Sequence, residues 1–147
     1  MTTNIVCGHC GTTNRLPDDR LHDSPSCGKC KEAVFTGKPV DLTDTNFDAF
    51  VANNDVPVVV DFWAPWCGPC VGMAPSYTEA AAALEPEYRL AKFNTQDFPD
   101  ANTKFGIRGI PTLIMFVGGK EVARQSGAMG TQDIMAWVKQ NAVTPAA

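Results

Sequence analysis

The sequence predicts an α/β fold: a mixed central sheet flanked by helices, preceded by a small zinc-ribbon-like domain. Three observations predict it. From residue 40 onward, apolar strand-like runs alternate with stretches of helical spacing. The longest such run, Val56 to Trp63, ends just before Cys67-Gly68-Pro69-Cys70. The first 37 residues hold four of the six cysteines but only scattered large apolar side chains.

The elements follow in order. Residues 1–37 contain Ile5, Val6, Leu16, Leu21, Val34 and Phe35, too few to bury a core unaided. Thr36-Gly37-Lys38-Pro39 reads as a linker, because glycine and proline interrupt regular structure. Asp41-Leu42-Thr43-Asp44 offers a helix cap before Phe47, Phe50 and Val51. Asn53-Asn54-Asp55 bounds the buried strand Val56 to Trp63. A helix is predicted from about Cys67 to Leu84, with Pro75 kinking it by removing a donor. Tyr88 to Asn94 is a second strand, and Phe98 to Phe105 a short helix. Thr112 to Val117 is a third strand, and Gly118-Gly119 turns it into Glu121 to Gln125. Thr131 caps a last helix with Ile134, Met135 and Val138 on one face.

Composition narrows the function. The chain has 147 residues, enough for one domain plus an appendage. Its net charge of -4 argues against binding nucleic acid through phosphates. No apolar run is long enough to span a bilayer. Met1 to Cys7 lacks the charged and apolar blocks of a signal peptide. A cytoplasmic monomer, with no membrane or nucleic-acid partner, is therefore expected. In a reducing compartment six cysteines point to metal or redox chemistry.

Cys67 and Cys70 stand where a buried strand gives way to a helix. A helix N-terminus presents free N–H groups and partial positive charge, which favour a thiolate. This is the setting of a dithiol/disulfide redox site. Cys67, nearer the helix start, is expected to be the exposed attacking thiol, and Cys70 the resolving one. Gly68 permits the tight turn, and Pro69 suits a first helical turn. Half of a metal site is the alternative, but no second ligand pair is left for it. Cys7-Gly8-His9-Cys10 and Cys27-Gly28-Lys29-Cys30 are two knuckles with the spacing of a four-cysteine zinc site. One structural zinc held by Cys7, Cys10, Cys27 and Cys30 would staple the poor core. Iron in a rubredoxin-like site is the competing metal, and two disulfides are the other alternative. The glycine after each first cysteine is expected to turn amides toward sulfur. The segment's charges nearly balance and it lacks an aromatic platform, so nucleic acid is not expected there.

Asp61 lies in the middle of an apolar strand. Burial there would raise its pKa, whereas an edge strand would leave it in solvent. Trp63 fits core packing near the cysteines, and Trp66 fits a partly exposed contact surface. Read from residues alone, Pro111 is an ordinary trans proline at a strand start.

Val60-Asp61-Phe62-Trp63-Ala64, Trp66-Cys67-Gly68-Pro69-Cys70, Ala74-Pro75, Lys92-Phe93-Asn94 and Gly106 to Leu113 together resemble the thioredoxin family. Gly118-Gly119-Lys120 and Gly127-Ala128 fit as well, and the likeness covers roughly residues 39 to 143. The N-terminal extension looks like that of the bacterial thioredoxin 2 group, which binds zinc there. The resemblance implies a thioredoxin fold over 38–147, a zinc domain over 1–37, and no bound organic cofactor. It implies reduction of disulfide-containing client proteins, with recharging by an NADPH-dependent thioredoxin reductase. It assigns Asp61 as base toward Cys70, and Lys92 as the partner of that carboxylate. It implies a cis bond between Ile110 and Pro111, with the Ile110 backbone pairing with an extended client. Trp66, Gly109 and Gly127 would complete the client surface. Val71 departs from the pattern, since many members carry a basic residue after the second cysteine.

Overall fold

The computed structural model describes residues 1–142; the end of the second domain expected from sequence, residues 143–147, lies outside them. Two strands, β1 (Thr2–Val6) and β2 (Thr13–Pro17), form an antiparallel hairpin with Thr2 opposite Pro17 and Val6 opposite Thr13. The second knuckle follows, closed by a bridge between Ser26 and Ala33. Then come β3 (Val40–Leu42), α1 (Phe47–Asn53), β4 (Val58–Trp63), α2 (Gly68–Leu84), β5 (Arg89–Asn94), α3 (Asp100–Lys104), β6 (Thr112–Val117), β7 (Lys120–Ser126) and α4 (Thr131–Asn141).

The main sheet has the order β3-β5-β4-β6-β7. β3, β5 and β4 run parallel, and β6 and β7 complete the sheet antiparallel. Parallel strands need crossovers and end up covered on both faces. Alternation along β4 divides the core accordingly. Val58, Val60 and Phe62 pack with α1 and with Phe93, Ala101 and Phe116. Val59 packs with Met73, Tyr77 and Leu84 of α2 and with Ile134 and Val138 of α4. Asp61 has the parity of Val59, so it shares the α2 face.

Two expectations are corrected. Val40–Leu42 is a strand, not a helix cap: Leu42 is buried and the segment pairs with β5, so tertiary pairing outweighs local capping chemistry. The cap position of α1 is Asn46, whose Oδ1 accepts a bond from the Thr43 N–H at 2.7 Å. Thr131 is the first helical residue of α4 rather than its cap, which is Gly130. The Thr131 hydroxyl donates instead to Glu79 of α2 at 3.1 Å. The helix α2 continues through Pro75 as one element.

The N-terminal segment is not merely tethered. Ile5, Cys7, Cys27 and Val34 form a small buried cluster that also reaches Val56, while Val6 joins the main core. Gly37 has a φ of +72°, and its N–H donates to Glu85 Oε2 at 3.1 Å. That bond anchors the expected linker to the end of α2. Asp55 exchanges two bonds with Asn4, N–H to carbonyl at 2.9 Å and carboxylate from N–H at 2.7 Å.

Arg89 lies at the centre of this seam and is 1 % exposed. Its Nη1 donates to the Val6 carbonyl at 3.0 Å and to Asn54 Oδ1 at 3.2 Å, and Nη2 donates to the Val34 carbonyl at 3.4 Å. Its guanidinium sits 5.1 Å from the Phe50 ring centroid and 5.3 Å from that of Phe35. Desolvation pushes its pKa down to about 10, opposed by the charge of Glu85. The group therefore stays charged at neutral pH.

Arg89→Met keeps much of the volume but removes the side-chain donor to the Val6 and Val34 carbonyls and one of the two donors to Asn54 Oδ1. It is expected to cost about 3 kcal/mol and to speed proteolysis within residues 1–37 first. Denaturant unfolding and limited proteolysis check this; wild-type behaviour in both would remove Arg89 from its bridging role.

Candidate redox and metal sites

The strand β4 delivers the chain to Ala64, and the Cys67 N–H closes the following turn on the Ala64 carbonyl at 3.1 Å. Cys67 is the cap of α2, and Pro69 falls in its first turn, where no helical donor is lost. The Cys67 sulfur accepts a bond from the Cys70 N–H at 3.3 Å, as an N-cap side chain does. Cys67 and Cys70 are joined as a disulfide with Cα atoms 5.3 Å apart.

Cys67 is 5 % and Cys70 2 % exposed, so the expected exposure of Cys67 is corrected. The two sulfurs belong to a cluster with Ala64, Trp63 and Ile110 that covers both. What separates them is the groove. Cys67 lines a shallow cleft of about 540 Å³ together with Trp66, Gly68, Pro69, Gly109 and Ile110, whereas Cys70 does not. The Ile110 carbonyl oxygen stands 3.7 Å from the Cys67 sulfur. The bond between Ile110 and Pro111 is cis. Trp66 is 71 % exposed, and Val71 is exposed as well. Gly127, at a φ of +100°, donates its N–H to the Pro111 carbonyl at 2.9 Å, tying the end of β7 beside the loop.

Thr95, Asn102, Ile107 and Arg108 also line the groove. Sequence reasoning did not single them out. Ile107 and Arg108 stood inside the motif Gly106 to Leu113, and that neighbourhood was the available signal. Thr95, in the turn after β5, and Asn102, in α3, lie outside that motif and carried none.

Asp61 is 1 % exposed, and among the described residues its Oδ1 is the one buried side-chain oxygen or nitrogen without a hydrogen-bond partner. Burial pushes its pKa up to about 7, with the Lys92 charge pulling the other way. Tyr77 of α2 crosses beside it, its hydroxyl donating to the Ala91 carbonyl at 2.8 Å and lying 3.1 Å from that of Val59. Desolvation, then the Asp61 charge, drives the Tyr77 pKa well upward, so that hydroxyl stays protonated. Lys92 is in register with Asp61 across β5 and β4. Its ammonium lies over the Trp63 ring, 4.1 Å from the centroid. The site thus holds a disulfide, a groove on one side of it, and a carboxyl poised to exchange a proton near neutrality on the α2 face.

The second centre joins the N-terminal hairpin to the knuckle that follows it. The sulfurs of Cys7, Cys10, Cys27 and Cys30 all lie within 4.8 Å of one another. Cys7 and Cys30 are 3.7 Å apart, and Cys10 and Cys27 are 3.6 Å apart. Four thiolates about 2.3 Å from a tetrahedral zinc stand about 3.8 Å from each other, so the donor set fits that ion. The N–H of Cys30, the Asn14 amide and the N–H of Lys29 bring the Cys27 thiol down to about 6, towards the ligating form.

At the second knuckle an amide does turn toward sulfur, the Lys29 N–H donating to Cys27 Sγ at 3.4 Å, but the glycines after the first cysteines are not the left-handed residues. The left-handed residues are Gly11 at a φ of +81° and Lys31 at +69°. Each follows a second cysteine and bonds back to the carbonyl of the first, at 2.9 and 3.0 Å. Gly8 is needed for space instead: a Cβ there would lie 2.8 Å from Val40 Cγ2. The first knuckle thus rests directly on β3. His9 and His22 are exposed.

Comparison with known proteins accords with both centres. Residues 38–140 match the family model "Thioredoxin", and residues 6–32 match "Thioredoxin 2, N-terminal". The chain is 41 % identical over 136 residues to "Thioredoxin C-3" of Corynebacterium nephridii, covering 92 % of this chain and 93 % of that one. It is 47 % identical over 88 residues to "Thioredoxin 1" of Nostoc sp., covering 60 % and 82 %. It is 42 % identical over 95 residues to "Thioredoxin 2" of Chlorobaculum tepidum, covering 65 % and 87 %. A disulfide at a strand-to-helix turn, a cis-proline loop beside it and a four-cysteine ribbon ahead of it agree with those matches, and the chain belongs to the thioredoxin family of thiol–disulfide oxidoreductases, with an N-terminal zinc-ribbon domain of the thioredoxin 2 type.

Proposed function

We propose that Cys67 and Cys70 cycle between dithiol and disulfide to reduce client proteins, and that a thioredoxin reductase drawing on NADPH recharges them. The observation that carries this reading is the groove, which reaches the Cys67 sulfur and not Cys70. An extended client segment beside Trp66, Gly109 and Ile110 would bring its disulfide to Cys67, with the Ile110 backbone as strand partner. Gly127 supports the loop rather than the groove, through its bond to Pro111.

In the reduced protein the Cys67 thiolate attacks a client sulfur. A mixed disulfide forms, and the first client thiolate leaves. Cys70 then passes its proton toward Asp61, directly or through water, and attacks the Cys67 sulfur. The second client thiolate leaves, and the protein holds the disulfide. Two electrons have moved from the protein dithiol to the client disulfide. Asp61 suits the proton step because a base near pKa 7 matches neutral operation. Lys92 lowers that value and is its electrostatic partner.

Residues 1–37 act as a zinc module and 38–147 as the redox module. Zinc, bound by Cys7, Cys10, Cys27 and Cys30, would supply cross-links to a segment with a small core. Four thiolate ligands in the same chain as a reductase site fit a reducing, cytoplasmic setting.

Cys70→Ser is expected to accumulate mixed disulfides with client proteins, and Cys67→Ser none, when each variant is mixed with oxidised protein substrates and separated under non-reducing conditions. Equal trapping by the two variants would reverse or erase the assignment. The zinc reading is checked by native mass spectrometry and peroxide. About one zinc per chain should be bound and released on oxidation, with residues 1–37 becoming protease-sensitive and 38–142 staying folded. Retained zinc after oxidation of the four cysteines, or collapse of the main domain with its loss, would contradict it.

A further inference from the structure

Lys92 is placed unusually for the partner of a carboxylate. Its register row runs Asp41 of β3, Lys92 of β5, Asp61 of β4. Directly paired residues in a sheet present side chains to the same face, so the cation lies between two acids, one exposed and one buried. Yet no ion pair within 4.0 Å forms with either, since the salt bridges of the described residues are His22–Glu87, Lys104–Asp48 and Arg124–Glu121. The ammonium rests instead on the indole of Trp63, 4.1 Å from the ring centroid, a strong geometry for a cation–π contact. Trp63 lies two residues beyond Asp61 on the same strand, so indole, carboxyl and ammonium share one face.

We propose that Trp63 is a positioning residue for proton transfer, holding the Lys92 ammonium at middle distance from Asp61. The indole prevents two excursions. Inward, an ion pair would fix Asp61 as a carboxylate and weaken it as a base. Outward, toward Asp41 and water, the cation would leave Asp61 with burial alone. The other titratable groups on the face are Tyr77 and Cys70 of α2, and neither carries charge while the disulfide is intact. Lys92 is therefore the group whose position sets the charge seen by Asp61, consistent with its lowering of that carboxyl's pKa.

The inference rests on the assignment of Asp61 as the base, but its test does not need client turnover. In the oxidised, zinc-loaded full chain, the Asp61 side-chain carboxyl ¹³C shift is followed against pH. This is done in wild type, Trp63→Leu, Lys92→Met and the double variant. Trp63→Leu releases the cation outward, because a hydrated ammonium is favoured over an unsupported buried one. The Asp61 midpoint is expected to rise by roughly half a pH unit or more in either single variant. The double variant should rise no further than Lys92→Met alone, since the indole acts through the cation. Trp63→Phe, which retains a ring and most of the packing, should shift the midpoint in the same direction by less, and serves should the leucine variant fold poorly. A Trp63 effect of equal size with and without Lys92 would assign it to packing and overturn the proposal, as would an unchanged midpoint. Failure of the trapping experiment with an intact coupling would fault the functional reading and leave this one standing.

Discussion

The carboxyl of Asp61 is the constraint around which the redox site is organised. An acid 1 % exposed, with one oxygen lacking any partner, is poor design for a strand whose other residues are Val58, Val59, Val60, Phe62 and Trp63. Moving its pKa from an ordinary value up to about 7 corresponds to roughly 4 kcal/mol of lost stability above neutrality. The sign follows from which state holds the proton. Between pH about 4 and 7 the unfolded chain has ionised and the folded one has not, so stability falls as pH rises through that window. A fold that tolerates such a cost retains a group able to take a proton near pH 7, on the face where α2 packs.

The rest of the site follows from the same strand. β4 must be fully covered to keep Asp61 dry, so it lies inside the sheet with β5 on one side and β6 on the other. Its C-terminal end then projects Ala64 and the Cys67 turn past the sheet edge, where α2 begins. β6 starts immediately after Pro111, and the Ile110 carbonyl just before it stands 3.7 Å from the Cys67 sulfur. Arg89, at the opposite end of the β5 pairing, satisfies the Val6 and Val34 carbonyls of the N-terminal segment while Lys92, three residues on, faces Asp61. One strand thus carries both the link to the four-cysteine segment and the link to the redox carboxyl.

Much of this was legible in the sequence, and the exceptions share a cause. The strands β4, β5 and β6 have strong apolar runs of their own, which located them, and the helix α2 was placed by the cysteine motif at its start. β1, β2 and β3 are too short for alternation to declare them, and Val40–Leu42 is a strand only because Ala91 to Phe93, far along the chain, lies beside it. Local chemistry misled at Asp41-Leu42-Thr43-Asp44 and at Thr131 for the same reason. At the site, cysteine spacing was informative because sulfur chemistry demands it. The groove residues Thr95 and Asn102, the bridging role of Arg89, and the seat of Lys92 on Trp63 depend on tertiary placement, which no spacing encodes.

The most direct test of the central claim is the unfolding free energy of wild type and Asp61→Asn, compared across pH 4 to 8 with the disulfide intact. The neutral amide mimics the protonated acid at every pH. The two proteins should be close in stability at pH 4, and the variant should gain steadily on wild type as pH rises, leading by several kcal/mol at pH 8. A gap that does not change with pH, or a wild type that is the more stable at pH 8, would show that Asp61 is not buried at a cost and would contradict the account.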